Sequence, residues 1–109
     1  MSHYFPTPDE CGHRTIFGNI QITTCAGDNV QMSLAHIPAG VAVPEHTHPN
    51  EQVGMIISGD LDFTIAGETR TLKPGDMFRI PGGVPHSVIA RDEPVRVLDI
   101  FYPIRDEYR

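Results

Sequence analysis

A chain of 109 residues fits one domain, large enough to hold a single core without disulfides. Its formal net charge is −6 with Lys and Arg scattered, which argues against nucleic acid or an anionic membrane surface as partner and means that an anionic ligand must be caught by a local positive site. Cys11 and Cys25 make no C-x-x-C pattern and read as reduced thiols; with no leader-like or membrane-length apolar run, the expectation is a cytoplasmic protein.

In chain order, residues 1–13 read as an irregular arm, polar and proline-rich in "MSHYFPTPDE", with His3 and His13 solvated. Residues 14–109 then read as one domain of short β segments. "TIFGNIQIT" is rich in isoleucine. "VQMSLAHI" alternates and sets Val30, Met32, Leu34 and His36 on one face, so His36 is expected in the core or lining a cavity. "QVGMIIS" is apolar on both faces, and "LDFTIA" alternates through Leu61, Phe63 and Ile65. "DMFRI", "HSVIA" and "VRVLDIF" follow. Dense turn signals such as "PAG", "SGD", "KPGD" and "PGGVP" separate these runs, because Gly supplies positive φ and Pro fixes φ. No stretch is convincingly helical; only the tail "IRDEYR" can curl. Strands at intervals of roughly 8–12 residues point to an all-β sandwich or barrel.

The chemistry concentrates in "PEHTHPNEQVG", residues 44–54. Strand side chains repeat every second residue, so His46 and His48 share a face at a spacing where two imidazoles reach one ion. Gln52 has the same parity and faces the same side if the strand stays regular. A turn at "PN" breaks that register and makes Glu51 the alternative. His86, just after "PGGVP", offers a third imidazole, and Arg79 nearby is a candidate anion contact.

"VRVLDIFYPIRDEYR" is the second such stretch. Val95, Val97, Asp99 and Phe101 share one face; Arg96, Leu98 and Ile100 share the other. If the first face is interior, Asp99 is an ionisable group among apolar ones and its pKa rises. If the second is, Asp99 is solvated. Arg105 follows Pro103, and its planar fork suits a carboxylate. The plain alternative is a surface ion pair with Asp106 or Glu107.

The stretch "GVAVPEHTHPNEQVGMIISG" resembles the first motif of the cupin superfamily, with Gly40, His46, His48 and Gly59 in place and Gln52 where the motif has Glu. "GDMFRIPGGVPHSVIA" resembles the second, with Gly75, Pro81, Gly83 and His86 in place and Ala90 where the motif has Asn. The resemblance implies a single-domain cupin (jelly-roll) β-barrel, a homodimer, and one divalent transition metal ion (Zn, Ni, Fe, Mn or Cu) held by His46, His48, Gln52 and His86. An amide in place of the carboxylate cancels no charge, so such a metal would stay strongly positive toward a small anionic substrate.

The H-x-H-P-x-E-Q run with the ending D-x-F-x-P-x-R-[DE]-[DE]-[FY] resembles the pectin-degradation cupins that act on unsaturated monouronates. That likeness implies conversion of cyclic 4,5-unsaturated uronates to the linear keto form, with Asp99, Phe101 and Arg105 in catalytic or substrate-positioning roles. The competing expectations are a small-ligand-binding cupin without turnover and a metal-dependent dioxygenase.

Overall fold

The computed structural model describes residues 4–109, so His3 lies outside the described residues. Ten strands are found there: β1 Gly12–Ile16, β2 Ile20–Ala26, β3 Gln31–Ile37, β4 Ala42–His46, β5 Glu51–Ser58, β6 Leu61–Ile65, β7 Glu68–Leu72, β8 Met77–Ile80, β9 His86–Ala90 and β10 Val95–Tyr102. They form a six-stranded sheet in the order β1-β2-β3-β10-β5-β8 and a four-stranded sheet in the order β4-β9-β6-β7. Strands far apart in sequence therefore become neighbours, and every pairing is antiparallel. This is the jelly-roll arrangement that the cupin resemblance implies, one form of the all-β sandwich or barrel that the turn spacing points to. The only helical turns among the described residues are 3-10 segments at Pro8–Glu10 and Asp106–Tyr108, the second being the expected curl of the tail.

The core lies between the sheets. Ile20, Ile22, Ile56 and Val97 project from the larger one onto Val43, Leu61, Phe63 and Ala90 of the smaller, all buried. Burial of each large aliphatic or aromatic side chain stabilises the fold by about 1.5–3 kcal/mol. The Phe63 and Phe78 rings meet across this layer, centroids 4.6 Å apart. Gly54 is required where β5 crosses it: a Cβ there would collide with the Leu98 carbonyl oxygen of β10 and the Phe78 ring. Gly54→Ala is expected to lose about 2–3 kcal/mol through overpacking, read as a lower Tm with unchanged oligomeric state.

Three expectations are corrected by the strand faces. In β3 the alternation holds but the inward face is Gln31, Ser33, Ala35 and Ile37, while Met32 and His36 are exposed. The polar Gln31 faces in because its side-chain amide bridges the Arg105 backbone, accepting from the N–H (3.0 Å) and donating to the carbonyl (3.3 Å). His36 is thus a surface residue opposite Arg96 and Gln21, neither core nor cavity lining. In β8, Phe78 and Ile80 point inward, so Arg79 is exposed and is no cavity anion contact. Finally, β1 begins at Gly12, so the last two residues of the expected arm, Gly12 and His13, belong to the sheet. Gly12 permits this because a side chain there would strike Thr24 and the Arg109 backbone. His13 is exposed as expected.

β10 fixes the site. It sits centrally between β3 and β5, with Val95, Val97 and Phe101 buried on the interior face and Asp99 half-buried among them. Register places Phe101 beside Gln52 and Asp99 beside Gly54.

Candidate metal centre

His46 ends β4 and stands directly opposite His86, which begins β9. His48 follows two residues later, where the chain has left the strand. Ring centroids lie 4.3 Å (His46–His86), 4.9 Å (His48–His86) and 5.9 Å (His46–His48) apart. One ring nitrogen from each of the three falls within 4.8 Å of the others, so they can hold a single metal ion.

The orientation of each ring has the same cause. Nδ1 of His46 lies 2.9 Å from the Pro44 carbonyl, Nδ1 of His48 lies 3.0 Å from that of Asn50, and Nδ1 of His86 lies 2.9 Å from that of Val84. A carbonyl only accepts, so each Nδ1 carries the proton and each Nε2 keeps a free lone pair. The Nε2 of His86 is a buried polar atom with no hydrogen-bond partner, an arrangement that ordinarily costs stability. The Nε2 of His48 faces the side-chain oxygen of Gln52 at 3.0 Å. Two acceptors so placed are relieved by a cation. Three convergent imidazole lone pairs and an orphaned buried nitrogen therefore fit a divalent transition metal.

Electrostatics agree with that fit. Burial, helped by the neighbouring imidazoles, pushes His86 down to about 4. Burial and the Arg105 guanidinium also lower His48. Both rings are neutral and ready to ligate at pH 7.

Gln52 is buried and Glu51 is exposed, so of the two neighbours the amide reaches the cluster. Its nitrogen donates to Oδ1 of Asp99 at 2.8 Å. Asp99, Gln52 and His48 thus form one chain of contacts. Burial pushes the Asp99 carboxyl up to about 6, with the Gln52 hydrogen bond and the Arg105 charge acting against it. Phe101 is buried with its ring edge-on to His48, centroids 5.8 Å apart. The Arg105 guanidinium lies 4.0 Å from the Tyr108 ring and 5.1 Å from the Phe101 ring, and its Nε donates to Glu107 at 3.0 Å. The ion pair with Glu107 is present, yet the Arg105 side chain is only 11% exposed and borders the same cavity as Asp99.

That cavity has a volume of about 80 Å³, with His46, His86, Gln52, Asp99 and Arg105 along its polar wall and Ile22, Leu61 and Val97 along its apolar one. At roughly 10–15 Å³ per water-sized group, it holds about 5–8 of them.

Three contributors escape a reading of the sequence. Asn50 is buried, gives His48 its carbonyl and donates its side-chain amide to the Pro103 carbonyl at 2.7 Å, tying the histidine loop to the end of β10. Its only sequence signal is the "PN" turn. Tyr108 carries the guanidinium of Arg105, signalled only by the aromatic that closes the ending motif. Phe17 lies in the β1–β2 turn and borders the cavity, with its ring centroid 5.5 Å from that of His46.

Comparison with known proteins places this geometry among relatives. The cupin domain family matches residues 33–101, more than half of the chain. The pectin degradation protein KdgF of Dickeya dadantii is 28% identical over 82 residues, 74% of each chain. The structure of KdgF from Halomonas sp. superposes with a TM-score of 0.85 at 26% identity, covering 97% of this chain and 98% of that one. Dimethylsulfoniopropionate lyase DddQ of Ruegeria pomeroyi is 35% identical over 74 residues, 67% of this chain, but the chain spans only 37% of that relative's length.

Proposed function

The chain belongs to the cupin domain family, and from that membership we propose that it is a metal-dependent enzyme that opens and tautomerises a 4,5-unsaturated monouronate to its linear keto form. The observation that carries this reading is the contact chain from Asp99 through Gln52 to His48, with Arg105 on the same cavity. A proton-transfer group and a cation thereby flank the same pocket. The likeness to two KdgF proteins, one of which is named for pectin degradation, supports the substrate class.

His46, His48, Gln52 and His86 would hold the metal, which when bound supplies a Lewis acid that draws electron density from substrate oxygens. Arg105 holds the uronate carboxylate through its guanidinium, which Phe101 and Tyr108 keep in place. The Asp99 carboxylate takes the proton of the anomeric hydroxyl. The bond from C1 to the ring oxygen then breaks, leaving an aldehyde at C1 and an enolate at C5, whose C4 takes the proton that the carboxyl holds. The enolate thereby becomes a ketone. One proton leaves and one returns, so the isomerisation needs no oxidant and no second acid–base residue. A pKa of about 6 suits a group that must do both near neutrality.

Gln52 has two duties in this scheme: its oxygen faces the cation site and its nitrogen fixes Asp99. Gln52→Glu is expected to retain metal at least as tightly as wild type, because a carboxylate adds a charge. It should lower kcat by about 10–100-fold, because the metal is partly neutralised and the hydrogen bond to Asp99 becomes a like-charge contact. Metal content and steady-state rates on the same preparation check both halves.

On the outer face of the larger sheet Met32, Ile100 and Val53 lie side by side across β3, β10 and β5, at 38–48% exposure. That apolar row supports a homodimer, which sedimentation equilibrium tests. For the reaction itself, metal-loaded protein is incubated anaerobically with an unsaturated monouronate and the enol absorbance is followed. Loss of absorbance without oxygen supports the isomerase over a dioxygenase; dependence on oxygen reverses that choice. Binding without turnover leaves the small-ligand-binding reading.

A further inference from the structure

We infer that Phe17 is a substrate-contacting residue that roofs the cavity beside His46 and offers the sugar ring an apolar face to stack on. The stacking half of this inference rests on the uronate reading; the roof does not. Phe17 and Gly18 take successive positive φ values of 48° and 90° in the turn between β1 and β2. Gly adopts that region freely, but for a bulky residue it is a true outlier. Among the described residues just one other non-glycine has positive φ, Ala66 at 51°, in the β6–β7 turn before Gly67. That turn is one residue shorter, and a methyl group fills its left-handed position.

At residue 17 a large ring stands in its place. It is 44% exposed, so core burial does not account for it. It borders the cavity and tilts at 47° against His46, with the centroids 5.5 Å apart. Strain of this kind persists where a function holds it in place. The ring thus keeps exposed surface at the cavity border, and aromatic faces pack well against the C–H face of a sugar.

The test uses Phe17→Gly, with Phe17→Asn as a second variant because Asn also tolerates positive φ. In metal-free protein, diethyl pyrocarbonate is added and modification of His46 is followed by peptide mass mapping. The exposed His13 and His36 serve as internal standards. His46 is expected to react about 3- to 10-fold faster in both variants, while Tm falls by no more than about 2 °C because relief of strain offsets the lost contact. With an unsaturated monouronate, KM is expected to rise about 10-fold, the loss falling mainly on KM rather than kcat. An unchanged His46 rate, or a Tm loss typical of a core residue, overturns the roof. A normal KM in a variant with faster His46 modification overturns the stacking. Absence of turnover by the wild type removes the uronate reading and the stacking with it, and the His46 rate alone then decides the roof.

Discussion

His86→Ala is expected to abolish stoichiometric metal binding and turnover together, while the metal-free variant melts within a few degrees of metal-free wild type. The expectation follows from one atom. Nε2 of His86 is buried, unpartnered and aimed at His46 and His48. Truncating the ring removes a ligand from a three-imidazole cluster and also removes an orphaned polar atom whose burial costs about 1–3 kcal/mol. The second effect offsets part of the cavity left behind. Affinity should fall by more than the about 10–100-fold that mutation of an outer-shell partner typically costs. Metal content after dialysis and a thermal melt read the two effects separately. A variant that keeps one metal per chain would place the ion elsewhere.

The larger test of chemistry is Asp99→Asn. The amide keeps the shape and a contact with Gln52 but cannot shuttle a proton, so kcat should fall about 10²–10⁴-fold with metal content intact. Wild-type kcat/KM should rise with pH as Asp99 ionises to the base form, and with metal bound that rise falls at or below the value of about 6 that burial sets, because a nearby cation favours the carboxylate. The residual rate of the variant should lack this acid limb. Loss of metal in Asp99→Asn would instead make the carboxylate a structural support of the cluster.

Asp99 and His86 contribute opposing slopes to the stability of the metal-free protein against pH. Asp99 is raised from 3.8 to about 6 in the fold, so between those values the native state binds more protons than the unfolded chain and stability falls as pH rises. His86 is lowered from 6.5 to about 4, so across that window the unfolded chain binds more protons and stability rises with pH. The two trends oppose each other in the wild type. Asp99→Asn removes the opposing trend, so its Tm should climb more steeply from pH 4 to 6.5 than that of the wild type.

Much of the architecture was legible in the chain because burial in a half-exposed sheet imposes a period of two. The alternation of β10 put Val95, Val97, Asp99 and Phe101 on one face, and the structure, not the pattern, decides that this face is the interior one. In β3 the same rule chose the wrong face. The interior there is polar, Gln31 and Ser33 facing in, while Met32 and Leu34 line the outer row with Ile100 and Leu98. Hydrophobicity alone cannot tell an inner apolar face from an outer one built for a neighbour. Strand parity also reached Gln52 through a premise that does not hold, since the chain leaves β4 at His46 and turns at Pro49–Asn50 before β5. The family spacing gave the same residue independently. Asn50 and Phe17 were beyond reach because their roles arise from contacts between segments far apart in sequence, and Tyr108 because its stacking on Arg105 depends on how the tail turns after Pro103.

The central claim is that this site moves one proton within an unsaturated sugar acid without oxidising it. Proton NMR of a 4,5-unsaturated monouronate in D2O tests it directly, with metal-loaded protein, metal-stripped protein and buffer run in parallel. The account predicts rapid loss of the vinylic C4 proton with metal-loaded protein only, and a C4 methylene carrying a single deuterium in one configuration. A vinylic signal that decays at the buffer rate in all three samples contradicts it.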